Sequence, residues 1–143
     1  MLHIRPFRPE DQDDVIALWQ ACGLTRPWND PVKDIARKRA VNPELFLVGE
    51  ADGRLVASAM GGYEGHRGWV NYLAVAPDCQ RRGFGAALMR HLEAALTARG
   101  CPKLNLQVRE GNDAVIAFYE RLGYGNDRTV SLGKRLIPDG PPA

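Results

Sequence analysis

Between residues 70 and 96 the hydrophobic period of the chain changes once, and no other feature constrains the fold as strongly. Val70-Asn71-Tyr72-Leu73-Ala74-Val75-Ala76 is dense in branched and aromatic side chains, the types that suit a pleated strand. Pro77, with no N–H to donate, stops the ladder. Phe84, Leu88, Leu92, Ala95 and Leu96 then recur at helical spacing, with Arg90, Glu93, Thr97 and Arg99 opposite, until Gly100 supplies a left-handed stop. Between the two periods lies Gln80-Arg81-Arg82-Gly83-Phe84-Gly85-Ala86. A strand that passes through a glycine-bearing turn into a helix leaves backbone N–H groups unpaired. It aims them, with the positive end of the helix dipole, at one point. Such a point binds phosphate; Arg81 and Arg82 add charge at its rim, and glycine keeps Cβ atoms out of the way. The third glycine of a dinucleotide fingerprint would fall on Leu88, and the Lys-Ser/Thr of a P-loop is absent. Taken alone, the stretch also reads as a plain strand–helix turn with solvated arginines.

The rest of the chain supplies alternating elements around this unit. Residues 2–5 predict a short first strand ended by Pro6, and the acidic run 10–14 opens a helix with Val15, Leu18, Trp19 and Cys22 on one face. A proline-bracketed loop carrying Trp28 leads to a short basic helix over residues 32–40. Residues 44–51 and 54–62 read as strands around Asp52-Gly53, a strong hairpin signal, and the turn at 63–68 precedes the central strand. Residues 103–108 alternate like a half-buried strand. Asn112 suits a helix N-cap, with Val115, Phe118, Tyr119 and Leu122 at helical period before Gly123. A last strand pair is expected near 127–131 and 133–137, and residues 138–143, rich in proline, as a frayed tail. Hairpins first and a strand–helix crossover later predict a mixed sheet.

A chain of 143 residues makes one domain, residues 1–143, with enough apolar residues for a core. A net charge of +2, with no basic block, argues against a nucleic-acid partner. No apolar run approaches a membrane span, and the N-terminus has no signal-peptide pattern. Cys22, Cys79 and Cys101 are widely spaced and odd in number, so no disulfide framework is expected, and His3, His66 and His91 stand alone, so no metal site is expected. The expectation is a cytoplasmic protein.

The string 80–86 resembles the Gln/Arg-x-x-Gly-x-Gly/Ala pyrophosphate loop of the GNAT superfamily of N-acetyltransferases. Asn112 followed by Phe118-Tyr119-Glu120-Arg121-Leu122-Gly123-Tyr124 is similar to the family's second motif, Asn-x(4–7)-Phe/Leu-Tyr-x-x-x-Gly-Phe/Tyr. Residues 24–31, 60–68 and 132–137 look like a bacterial subgroup, the YpeA-type acetyltransferases. The resemblance implies an α/β fold: a GNAT-like mixed, centrally splayed sheet of about six to seven strands flanked by about four helices. It implies acetyl-CoA as the cofactor and transfer of its acetyl group to a primary amine, by direct attack in a ternary complex. The acceptor would be a small molecule or a peptide, and a homodimer is compatible with the family. A rival reading is a non-catalytic acyl-CoA-binding module that regulates a partner.

Carried over residue by residue, the resemblance gives Leu73, Ala74 and Val75 backbone pairing with the pantetheine arm. It gives Gln80, Arg81, Arg82, Gly83, Phe84, Gly85 and Ala86 the pyrophosphate, and Asn112 the pantetheine or adenosine side. Tyr119 would stand at the thioester sulfur as general acid, since a phenol can protonate a departing thiolate. Tyr119 also reads as a core aromatic and Asn112 as only a cap. The glutamate that some relatives place before Val-Arg is Gln107 here, and a neutral amide cannot accept the amine proton. A water chain, in which Tyr72 could take part, Glu64 and His66 remain as proton acceptors, in that order. The acceptor side is expected from Trp28, Asp30, Tyr63, Glu64 and His66, on the 26–31 loop and the 63–68 turn.

Overall fold

The structure, a computed structural model, describes residues 1–140. Strands β1 (His3–Pro6), β2 (Phe46–Ala51), β3 (Arg54–Tyr63), β4 (Gly68–Val75) and β5 (Leu104–Asn105) form one sheet in sequence order. The first four run antiparallel, and β5 joins β4 in parallel. Helices α1 (Gln12–Ala21) and α2 (Pro31–Arg39) lie between β1 and β2; α3 (Phe84–Ala98) connects β4 to β5, and α4 (Asp113–Arg121) follows. Among the described residues no helix is long and apolar enough to cross a membrane.

Local chemistry explains most boundaries. Asp52 and Gly53 both have positive φ, 54° and 77°, which is what a two-residue hairpin turn compatible with strand twist requires. Asp30 caps α2, its carboxylate accepting from the N–H groups of Val32 at 2.9 Å and Lys33 at 3.4 Å. Asp11, at the start of the first helical region, is buried and takes two bonds from the Arg5 guanidinium, at 2.7 and 2.9 Å. Along β3 the two sheet faces separate: Ser58 meets Trp19 of α1, while Gly61 backs onto Leu92 of α3. The core is therefore two-sided, with Trp19, Phe46 and Ile35 buried toward the first helices and Leu88, Met89 and Leu92 buried along α3.

Among the described residues the sheet has five strands rather than six or seven. The segments 127–131 and 133–137 are irregular. Arg128 has φ +58°, which interrupts a regular extended strand, and Val130, Leu132 and Leu136 are exposed. A pairing that buries so little apolar surface does not offset the entropy of ordering a strand. Side chains hold this segment instead: Lys103 and Asn105 to Asp127, at 2.9 and 3.3 Å, and Gln107 to Ser131. The fifth strand is also shorter than 103–108, because its partner bends away. Pairing of β3 with β4 shifts between Ser58 and Met60, and Tyr72, the extra residue of that bulge, has φ +52°. A bulge bends and twists its strand, and β4 pairs with β5 only at Gly68–Leu104 and Trp69–Asn105. Residues 138–140 are not frayed. The carboxylate of Asp139 is fully buried, paired with Arg37 and accepting the N–H of Asp30 at 2.9 Å. Residues 141–143 of the expected tail lie outside the described residues.

Candidate active site

Beyond Trp69 and Asn105 the two parallel strands diverge, leaving residues 73–75 of β4 with β3 on one side and, among the described residues, no strand on the other. This gap opens toward the turn that carries the phosphate-loop sequence. A short helical turn (Pro77–Cys79) ends β4, and Arg81 and Gly83, with φ of +65° and +80°, swing the chain into α3. Among the described residues no side chain caps the N-terminus of α3. The N–H of Ala87 bonds Gly83, so those of Phe84, Gly85 and Ala86 precede the first intrahelical bond and point out of the helix end.

The two glycines have different tasks. Among the described residues nothing beyond its chain neighbours lies within 4 Å of the point where a Cβ on Gly83 would sit, so its backbone is open to an approaching anion. A Cβ on Gly85 would meet the Phe118 ring at 3.1 Å and Val75 at 3.7 Å. Gly85 thus serves packing as well, letting α4 close onto the start of α3 at the end of β4. Arg82 is exposed, pairs with Asp52 at 3.1 Å and lies 4.6 Å over the Phe84 ring, while Arg81 projects into solvent. The Val75 carbonyl already accepts from Cys22 Sγ at 3.3 Å and from Gln80 Nε2 at 3.2 Å, which leaves Leu73 and Ala74 as the freer part of the strand edge.

The bulge beside this edge is braced from within. Trp19 Nε1 donates to Ser58 Oγ at 2.9 Å, and Ser58 Oγ donates to the Tyr72 carbonyl at 3.0 Å. The Tyr72 ring stacks on Trp19 with centroids 3.8 Å apart, and its hydroxyl donates to Asp34 of α2 at 2.7 Å. A left-handed tyrosine persists only where its surroundings fix it from several sides. Burial, followed by the bond to Asp34, pushes the Tyr72 phenol well above its ordinary value.

Tyr119 is buried, 8% exposed, and meets the rings of Phe118 and Tyr124 edge-on. Its hydroxyl bonds no other group among the described residues, and burial raises its pKa to about 12. Phe118, in contact range of Gly85, ties this part of α4 to the head of α3. Asn112 occupies the N-cap position of α4, but its side chain makes no capping bond and is exposed.

The expected acceptor residues fall in two separate places. Trp28 is half-exposed on the α1–α2 loop, with the guanidinium of Arg109 5.8 Å from its ring centre. Arg109 follows β5 on the diverged side, so this pair borders the open gap. Asp30 is occupied as a helix cap. Tyr63, Glu64 and His66 lie on the β3–β4 hairpin, beyond Gly68, where the strands are still paired. At about 3.3 Å per residue, that end of β4 is roughly 20 Å from Val75. Glu64 there accepts the N–H groups of Arg67, at 2.7 Å, and His66, and these bonds lower its pKa. A carboxylate so held is a weaker base than a free one. The Tyr63 hydroxyl donates to the Gly65 carbonyl at 3.2 Å.

Two features were not legible beforehand. Asn105 Oδ1 is buried without a hydrogen-bond partner among the described residues, at the last rung before the strands part. Ser58 looks unremarkable in the sequence, yet it holds the bulge. Alternation along β3 marks it only as one polar residue among apolar neighbours.

Residues 10–124 match the family model of the Acetyltransferase (GNAT) family. A Yersinia pestis protein named acetyltransferase is 57% identical over 96% of this chain and 98% of its own length. A Pectobacterium atrosepticum acetyltransferase is 55% identical over the same shares. Among solved structures, Ard1 from Thermoplasma volcanium superposes with a TM-score of 0.77 at 28% identity, covering 85% of this chain and 81% of that one. The ribosomal-protein-S18-alanine N-acetyltransferase from Escherichia coli gives 0.71 at 30% identity, covering 86% and 77%. With an open helix N-terminus beside a strand gap, and a family match over most of its length, this chain belongs to the GNAT family and is an acetyl-CoA-dependent N-acetyltransferase.

Proposed function

We propose that this acetyltransferase acylates a primary amine by direct attack within a ternary complex, with Tyr119 as the general acid. The observation that carries the proposal is the divergence of β4 and β5 after Trp69 and Asn105. It opens a slot between the free backbone of Leu73 and Ala74 and the head of α3, where α4 packs through Phe118. The N–H groups of Phe84, Gly85 and Ala86 would hold the pyrophosphate of coenzyme A, and Arg81 and Arg82 would add charge at the rim. The edge of β4 at Leu73 and Ala74 would bond the pantetheine amides as a neighbouring strand does. Acetyl-CoA supplies the thioester: the amine nitrogen bonds the acyl carbon, the C–S bond breaks, and sulfur leaves with the electron pair. Tyr119, still protonated at working pH with its pKa near 12, donates its proton to that sulfur. The amine proton leaves to water on the Trp28 side. Glu64 and His66 are second choices for it, since their hairpin lies at the paired end of the strands.

Tyr119→Phe keeps the ring and removes the donor. Its kcat for an accepted amine, or for slow acetyl-CoA hydrolysis, should fall by about 10²–10⁴ while coenzyme A affinity stays near that of the parent. Unchanged kcat, in a regime where chemistry limits the rate, would leave Tyr119 a core residue only.

A further inference from the structure

Beside Trp28 lies an open cavity of about 680 Å³, walled by the α1–α2 loop, Arg37 of α2 and the returning segment that carries Lys134, Arg135, Leu136 and Ile137. Arg109 does not line it but lies against the Trp28 ring, 5.8 Å from its centre. The charges around it do not balance. The carboxylates of the elements that wall it are taken: Asp139 by Arg37 and the Asp30 N–H, Asp30 by the first turn of α2, and Asp34 by Tyr72 and Arg37. Arg37 is spent on the same groups, and Arg135 bonds Asn29 and lies 3.8 Å from Asp139. Lys134 and Arg109 join no ion pair among the described residues.

From this excess of unpaired cations over unpaired carboxylates, we infer that the acceptor is an amine that also carries a carboxylate, on an apolar body. The inference rests on the acetyltransferase reading and deepens it. An amine arrives as an ammonium ion, and a mouth of this sign repels a polyamine or any other polycation. A carboxylate on the acceptor meets Lys134 and Arg109, its apolar body lies on Trp28, Leu136 and Ile137, and the same positive field favours loss of the ammonium proton. The amine then attacks as the neutral base, its last proton leaving to water as the thiolate takes one.

The test uses the full chain with saturating acetyl-CoA and acceptor pairs differing in one charge. Phenylalanine against phenylalaninamide probes a free amino acid. Tripeptide amides with Asp or Asn at the second position probe a peptide end. In at least one pair the carboxylated member should show a kcat/KM higher by about fivefold or more, the factor one solvent-screened charge pair supplies. That advantage should shrink in Lys134→Gln and Arg109→Gln and at 0.5 M salt. Binding gives a readout independent of turnover: N-acetylphenylalanine should bind the coenzyme A complex more tightly than its amide in calorimetry. Equal handling of amide and acid by both readouts, or preferential acetylation of spermidine, overturns the inference. It does so without touching the acetyltransferase reading, which fails instead if coenzyme A does not raise the melting temperature.

Discussion

Replacing Ser58 by alanine removes one oxygen from a fully buried site and leaves two groups stranded. The Trp19 indole N–H loses its acceptor at 2.9 Å, and the Tyr72 carbonyl loses its donor at 3.0 Å. A buried polar group left without a partner costs about 1–3 kcal/mol, so the pair predicts a loss of roughly 2–6 kcal/mol. Part of this returns if Tyr72 relaxes from its left-handed backbone, since that conformation stores about 1–3 kcal/mol. The expected net is about 2–3 kcal/mol. With a urea m-value of about 1–3 kcal/mol/M, the unfolding midpoint should drop by roughly 1–2 M. Trp19→Phe removes the same N–H from the other side, so the double variant should be less damaging than the sum of the singles, by about 1 kcal/mol. The assay is equilibrium urea unfolding followed by tryptophan fluorescence, with circular dichroism for variants lacking Trp19. Because the bulge sets the edge at Leu73 and Ala74 proposed to bond the pantetheine amides, kcat should also fall in whatever Ser58→Ala remains folded. A midpoint shift below about 0.3 M, or strict additivity in the cycle, would refute the claim that this hydroxyl braces the bulge.

The two loop glycines should separate by readout. Gly83→Ala, in open space at φ +80°, should cost about 1–2 kcal/mol of backbone strain and weaken coenzyme A binding. Gly85→Ala should push the Phe118 ring away and loosen α4 from the start of α3, lowering stability and kcat together; equal behaviour of the two in thermal unfolding and coenzyme A titration would contradict their assigned roles. Asp139 should give an acid-sensitive clamp. Its pKa is lowered to about 2, first by the Arg37 guanidinium and then by the Asp30 N–H, so its contribution is complete above the unfolded value near 4 and is lost as pH falls from about 4 toward 2. Hydrogen-exchange protection of residues 28–32, taken against the intrinsic rate at each pH, should therefore fall through that window in the parent and be already low, with little pH dependence, in Asp139→Asn; matching profiles would refute it.

Local chemistry in the sequence determined the parts of this protein that depend on neighbours along the chain. The change from strand to helical period at residues 70–96, the glycine at the entry to α3 and the Asp52-Gly53 turn each act within a few bonds, so each was legible. The two motifs at 80–86 and 112–124 likewise announced the family, because their residue types and spacing are local facts. What the sequence left open depends on distant partners. Whether residues 127–137 pair as strands turns on apolar surface buried elsewhere, and Val130, Leu132 and Leu136 bury little. Whether Asp139 frays or anchors is decided by Arg37, about a hundred residues earlier in the chain. Glu64 and Trp28 both look suited to greet an acceptor, but only the register of β4 against β5 puts one at the closed end and the other at the open end. The bulge that opens the gap is held by Trp19, Ser58 and Asp34, three residues with no common motif, because only packing of α1 and α2 on the sheet brings them to Tyr72.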